Sequence, residues 1–182
     1  MAAAVPPRSR PAPRRVAAAA KAAPDAALQR LVRRLQTRGR TVATAESCTG
    51  GGLARALTDP PGASHWFLAG WVVYSNDAKQ RDLGVKAATL ARYGAVSEPT
   101  VHEMATQALR RSGADLAVAI SGIAGPGGAV PGKPLGMVWF GFAARDGRGA
   151  RVGTVVKRFR GDRAAVREAA VRFAIRRLYS MA

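Results

Sequence analysis

Short apolar runs alternate with amphipathic helical ones along this chain, and no other feature limits its fold as much. Thr41 to Glu46, Phe67 to Tyr74 and Leu116 to Ile120 read as strands, the second of them buried. Helical patterns separate them. The clearest follows Ser97, a capping residue, with Val101, Met104, Ala105, Ala108 and Leu109 on one face and Gly113 as the stop. A first helix is expected from Asp25, its cap, to Gly39, with Leu28, Leu31, Val32 and Leu35 sharing a face. Leu53 to Leu57 is helical and ends at the turn Asp59-Pro60-Pro61-Gly62. Asn76 to Leu83 and Ala87 to Tyr93 also read as helices. After a glycine-rich loop from Ser121 to Gly136, Leu135 to Ala144 and Arg151 to Phe159 read as strands joined at Arg145-Asp146-Gly147. A last helix from Asp162 to about Leu178 turns Val171, Ala174, Ile175 and Leu178 inward. Strands separated by helices pair in parallel, and the late hairpin adds an antiparallel strand. The expectation is a mixed sheet with helices on both faces, without internal repeat or second domain.

Composition narrows the chemistry. Of 182 residues, 48% are hydrophobic types, enough for one α/β domain with a full core. No apolar run has the length of a membrane span, so no membrane association is expected. Cys48 is the single cysteine, which excludes an intrachain disulfide and fits a reducing, cytoplasmic setting. Together with only two histidines, His65 and His102, it argues against a metal site. The formal charge is +18, and about half of the excess lies in residues 1–24 and the helix after them. The rest of the domain stays basic, which suits an anionic ligand such as a phosphate. Residues 1–24 are almost wholly Ala, Pro and Arg, with five prolines and no aromatic residue. They lack a secretory apolar stretch and any base-stacking side chain, and they read as a disordered tail before one domain at 25–182. Nucleic acid is therefore not the expected partner, and the bland reading of the charge is a solvated arginine-rich surface.

Ala45-Glu46-Ser47-Cys48-Thr49-Gly50-Gly51 puts a hydroxyl residue where a strand turns into a helix. That geometry lifts the side chain off the sheet edge and aims backbone N–H groups at whatever binds there. Serine is a poor nucleophile until a base takes its proton. From position alone, a helix cap is the usual job of a serine there. Two further loops leave strand ends, Tyr74-Ser75-Asn76-Asp77-Ala78-Lys79 and Ser121-Gly122-Ile123-Ala124-Gly125-Pro126-Gly127-Gly128. Gly161-Asp162-Arg163 opens the last helix. In a parallel sheet such ends gather on one edge, where open α/β folds bind ligands.

With Gly94-Ala95-Val96-Ser97-Glu98, these stretches in this order make the chain resemble the CinA C-terminal domain family from about Leu31 to Leu178. Its enzymatic members are nicotinamide-nucleotide amidohydrolases. The resemblance implies a three-layer α/β/α sandwich with a five-stranded mixed, mostly parallel sheet, commonly as a homodimer. It implies hydrolysis of nicotinamide mononucleotide to nicotinic acid mononucleotide and ammonia, in pyridine nucleotide salvage, with no cofactor. The family's serine–lysine dyad carries over to Ser47 and Lys79. Tyr74 and Arg163 match further site positions, and Glu46, Thr49, Gly50, Asn76, Ser121 and Gly122 are expected to face the substrate. Ser121 stands where the family commonly has threonine, Gly52 replaces a common leucine and Ala129 a common glycine.

A lysine acts as general base only if its pKa falls towards neutrality, by burial or beside a cation. Arg163 is a candidate for that cation and equally for holding the substrate phosphate. Glu46 either binds substrate or orients the turn as a backbone hydrogen-bond acceptor. Cys48 reads as a packing residue, Asp77 as a helix cap, and Trp66, Trp71 and Trp139 as core or subunit-contact residues. Two rival functions stand beside hydrolysis. One is a non-catalytic member of the same fold that binds a nucleotide or a protein. The other is a nucleic-acid binder driven by the basic tail.

Overall fold

The computed structural model describes residues 26–147 and 149–182. The tail at residues 1–24, expected to be disordered, and the capping role expected of Asp25 fall outside the described residues. Helix α1 (Ala26–Thr37) leads into β1 (Val42–Glu46), α2 (Gly52–Thr58) and β2 (Phe67–Val72). Then come α3 (Asn76–Leu83), α4 (Ala87–Tyr93), α5 (Glu98–Ser112) and β3 (Leu116–Gly122). The chain closes with β4 (Met137–Asp146), β5 (Gly149–Arg158) and α6 (Arg163–Met181). The five strands form one sheet in the order β2-β1-β3-β4-β5.

Strand β1 pairs in parallel with β2 and β3, whereas β4 runs antiparallel to β3 and β5 antiparallel to β4. The carboxyl ends of β1, β2 and β3 therefore meet on one edge of the sheet. Helices cover both faces. Leu31 and Leu35 of α1, Leu53 and Leu57 of α2, and Ala174 and Leu178 of α6 pack on one side around Phe140, Val118 and Ile120. Leu83 of α3, Leu90 of α4, and Val101, Met104 and Ala108 of α5 pack on the other around Ala43, Ala45, Ala117 and Ala119. Small side chains on that face of β1 and β3 let α5 approach closely. At Gly141 of β4 even a methyl group would collide with the main chain of Val101, so glycine is required by proximity.

Local chemistry fixes the ends of the elements. Ser97 caps α5 by accepting from Thr100 N–H, and Gly113 closes it at φ 72°. Ser75 caps α3, accepting from Ala78 N–H, and so takes the role expected of Asp77, which lies in the first turn. Asp162 caps α6 through Ala165 N–H.

Four sequence expectations are corrected. Strand β2 is not buried: it lies at the sheet edge, alternates between half-buried and exposed residues, and stops at Val72, because among the described residues only β1 pairs with it. Strand β4 starts at Met137, since Leu135 still belongs to the loop and is exposed. The β4–β5 connection is tighter than expected: each strand runs two residues further, to Asp146 and from Gly149, and these two residues pair. On α6, Val171 is only half-buried, while Val166 and Ala170 join the buried face. Trp66 is fully buried, its indole N–H donating to Leu57 O at 2.9 Å. Trp71 and Trp139 pack half-buried against the α5 side, and both histidines are exposed.

Candidate active site

The site begins where β1 leaves the sheet. Ser47 N–H donates to Ile120 O at 2.9 Å, which continues the pairing with β3 by one residue. Gly50 N–H then closes a turn on Ser47 O at 3.0 Å, and Gly50 and Gly51 take φ of 58° and 87°, a left-handed pair that side chains disfavour. Behind the turn, the carboxylate of Glu46 accepts from Leu53 N–H at 3.0 Å and Ala54 N–H at 2.7 Å. Those are orphan donors at the start of α2, and an anion there is favoured by the helix dipole. Glu46 is fully buried and uses both oxygens in this way, so it orients the turn rather than facing a ligand. Because Glu46 satisfies α2, Ser47 is free of the capping task.

Ser47 Oγ lies 3.2 Å from Lys79 Nζ. Lys79 is the fourth residue of α3, 1% exposed, and its amine also donates to Val73 O at 2.9 Å and Tyr74 O at 3.2 Å. Burial pushes its pKa down to about 8, far below that of an ordinary lysine, because the interior disfavours the ammonium. The three neighbours suit either charge state. An ammonium donates to all of them. A neutral amine donates two hydrogens to the two carbonyls, which can only accept, and keeps its lone pair for the one neighbour that has a proton to give, the Ser47 hydroxyl. Arg163 does not lower this pKa. Its guanidinium is engaged elsewhere, and desolvation by itself accounts for the downward shift.

Arg163 opens α6 and reaches across the edge of the sheet. It donates to Tyr74 Oη at 2.8 Å and to Gly125 O at 2.9 Å, tying the loop after β2 to the loop after β3. Tyr74 is thus exposed and meets Lys79 through its main-chain carbonyl, not its phenol. Asn76 sits exposed at the start of α3 on the same rim. Gly50 is exposed on the Ser47 turn. Three expected substrate contacts lie deeper. Ser121 is 1% exposed and donates to Ala95 O at 2.7 Å, which fastens β3 to the segment before α5. Gly122 is dictated by β4, since a Cβ there would come within 2.7 Å of Met137 O. Thr49 is buried beneath the turn, its carbonyl accepting from Arg167 at 2.9 Å.

Cys48 is buried, and burial raises its thiol pKa to about 11, so it stays protonated and inert beside Ser47. Among the described residues, the Cys48 and Thr49 N–H groups donate to no other residue, the Cys48 N–H meeting its own sulfur, so both are candidate donors to an oxyanion. Among the same residues, no group of three or more His, Cys, Asp and Glu side chains gathers as a metal site would. Sequence reasoning missed the carbonyls of Val73 and Tyr74, which carry no side-chain signature. It also missed Arg167, whose one available signal was its place one helical turn after Arg163.

Fold and site define a three-layer α/β protein with a buried serine–amine pair at the carboxyl edge of its parallel strands. Residues 25–182 match the CinA C-terminal domain model, and the chain belongs to that family. The nicotinamide-nucleotide amidohydrolase PncC of Enterobacter agglomerans is 55% identical over 141 residues, covering 78% of this chain and 84% of that protein. A putative competence-damage inducible protein of Symbiobacterium thermophilum is 50% identical over 147 residues, 78% of this chain but 34% of that longer protein. The crystal structure of a competence-damaged protein (CinA) superfamily protein from Klebsiella pneumoniae superposes with a TM-score of 0.80 at 45% identity, over 85% of this chain and 94% of that one. The expected fold, a five-stranded mixed sheet between helical layers, is the one present.

Proposed function

We propose that the protein hydrolyses the carboxamide of nicotinamide mononucleotide through Ser47 and Lys79, giving nicotinic acid mononucleotide and ammonia. The observation that carries this is the 3.2 Å contact between Ser47 Oγ and a buried amine whose other neighbours are carbonyls. The named activity of the amidohydrolase relatives supports the substrate. Neutral Lys79 accepts the Ser47 proton as Oγ attacks the amide carbon. The N–H groups of Cys48 and Thr49 hold the developing oxyanion. Lys79 then gives its proton to the departing nitrogen, which leaves as ammonia. Water, deprotonated by the same amine, cleaves the acyl-enzyme and restores Ser47. Arg163 supplies positive charge for the nucleotide's phosphate, with Tyr74 holding the guanidinium in place. The reaction belongs to pyridine nucleotide salvage, in a cytoplasmic homodimer whose assembly sedimentation would measure.

Ammonia release from the mononucleotide by pure protein, with and without EDTA, tests the reading beside a Ser47→Ala variant. Activity unaffected by EDTA is expected, with a loss on the order of a thousandfold or more in the variant. Equal activity in the variant would overturn the mechanism. Binding of the mononucleotide without turnover would favour a non-catalytic role.

A further inference from the structure

A concavity opens at the carboxyl edge of the sheet, beside Arg163. It has a volume of about 880 Å³ and is bounded by the loop after β3, the end of β5 and the start of α6. Arg158, Arg160 and Arg163 line it, and Pro126 and Leu135 give it an apolar wall. Among the described residues, none of these arginines pairs with an acid. The one carboxylate on the wall, Asp162, accepts from Ala165 N–H at 2.8 Å and caps α6. Arg163 spends two of its five N–H donors on Tyr74 and Gly125 and has three left. It is the shared post between this cavity and the Tyr74 loop that leads into α3 and Lys79.

Three guanidinium groups around one concavity repel one another and need a counter-charge. A phosphate monoester supplies about −1.5 to −2 at neutral pH and offers oxygens that match the guanidinium fork. The apolar wall suits the carbon face of an attached sugar, and the volume falls in the range of small-molecule sites. We propose that this cavity is the phosphate subsite for the nucleotide, with Arg158 and Arg160 joining Arg163 as the residues that select a nucleotide over its nucleoside. The proposal rests on the amidohydrolase reading for its reaction but not for its ligand. Any sugar phosphate of the same chemistry should bind.

The experiment has two arms. In the first, KM is measured for nicotinamide mononucleotide and for nicotinamide riboside, with wild type and an Arg158→Gln/Arg160→Gln double variant. The variant is expected to raise KM for the mononucleotide about tenfold or more, the size of one lost charge-assisted contact, and to lower the preference for mononucleotide over riboside in proportion. Wild-type KM and preference in the double variant overturn the proposal. In the second arm, binding of ribose 5-phosphate is followed by calorimetry, without turnover. Binding that is weakened in the double variant supports the subsite even if no ammonia is released by the wild type, in which case the catalytic reading fails and the cavity stands. Absent binding, or equal binding by wild type and variant, overturns it. Both arginines are exposed, so circular dichroism is expected to show both proteins folded alike.

Discussion

At Lys79, burial decides both the reactivity and a measurable pH dependence. The amine must be neutral to take the Ser47 proton, and its pKa of about 8 keeps it charged through most of the acid and neutral range. The rate is therefore expected to rise with pH and level off above a midpoint near 8, as a profile of kcat/KM would show. A flat profile from pH 6 to 10 would remove Lys79 from the role of base. Glu46 works at one remove. Its carboxylate holds two main-chain N–H groups of α2 and thereby the angle at which the Ser47 turn leaves β1. Glu46→Ala leaves both donors buried and unpaired. A loss of about 3–5 kcal/mol is expected from two charge-assisted bonds, which for a chain of this size lowers Tm by roughly 10 °C. Glu46→Gln keeps one acceptor oxygen and should fall between.

At the scale of elements, the packing of α5 on β4 is set by an absent side chain. Gly141 faces the backbone of Val101, and the α5 side of β1 and β3 is built from alanines. Gly141→Ala is expected to push α5 away and destabilise the fold by several kcal/mol, since a rigid main chain cannot yield as a side chain can. Gly153 on β5 has nothing within 4 Å of a built Cβ, so Gly153→Ala is expected to leave the urea midpoint unchanged or slightly raised. The two variants, compared in one denaturation series, separate close approach from backbone freedom. The bounds of α3 and α4 were legible in the sequence, although the cap of α3 is Ser75 and not the expected Asp77. The exposure of β2 was not. Its apolar residues match a buried strand in composition, and only the pairing order makes it an edge.

For the whole molecule, the cost of Lys79 appears as a stability that depends on pH. Unfolded, its amine has the ordinary value of 10.5; folded, about 8. Below pH 8 both states hold the proton and the burial cost is fully present. Between about 8 and 10.5 the unfolded chain binds more protons at this group, so stability rises with pH through that window. The gain amounts to about 3 kcal/mol by pH 10.5. Urea midpoints measured from pH 7 to 10.5 should show a rise in wild type that is missing in Lys79→Met, the difference between the two curves isolating this amine from other titrating groups. Parallel curves would mean that the amine is solvated in solution. The same variant should be inactive.

What the sequence determined on its own is local: strand and helix periods, the Ser97 cap, the glycines of the Ser47 turn, and five short stretches specific enough to identify the family. These follow from steric and hydrogen-bonding preferences that act within a few residues. The tertiary structure decided the rest. Ser47 and Lys79 are 32 positions apart and meet because β2 lies in parallel beside β1 and α3 folds back over its end. Lys79 is a base candidate through desolvation rather than through Arg163, and Glu46 turns inward to α2 rather than to a ligand. Burial and distance depend on which elements become neighbours, and residue order alone does not encode either.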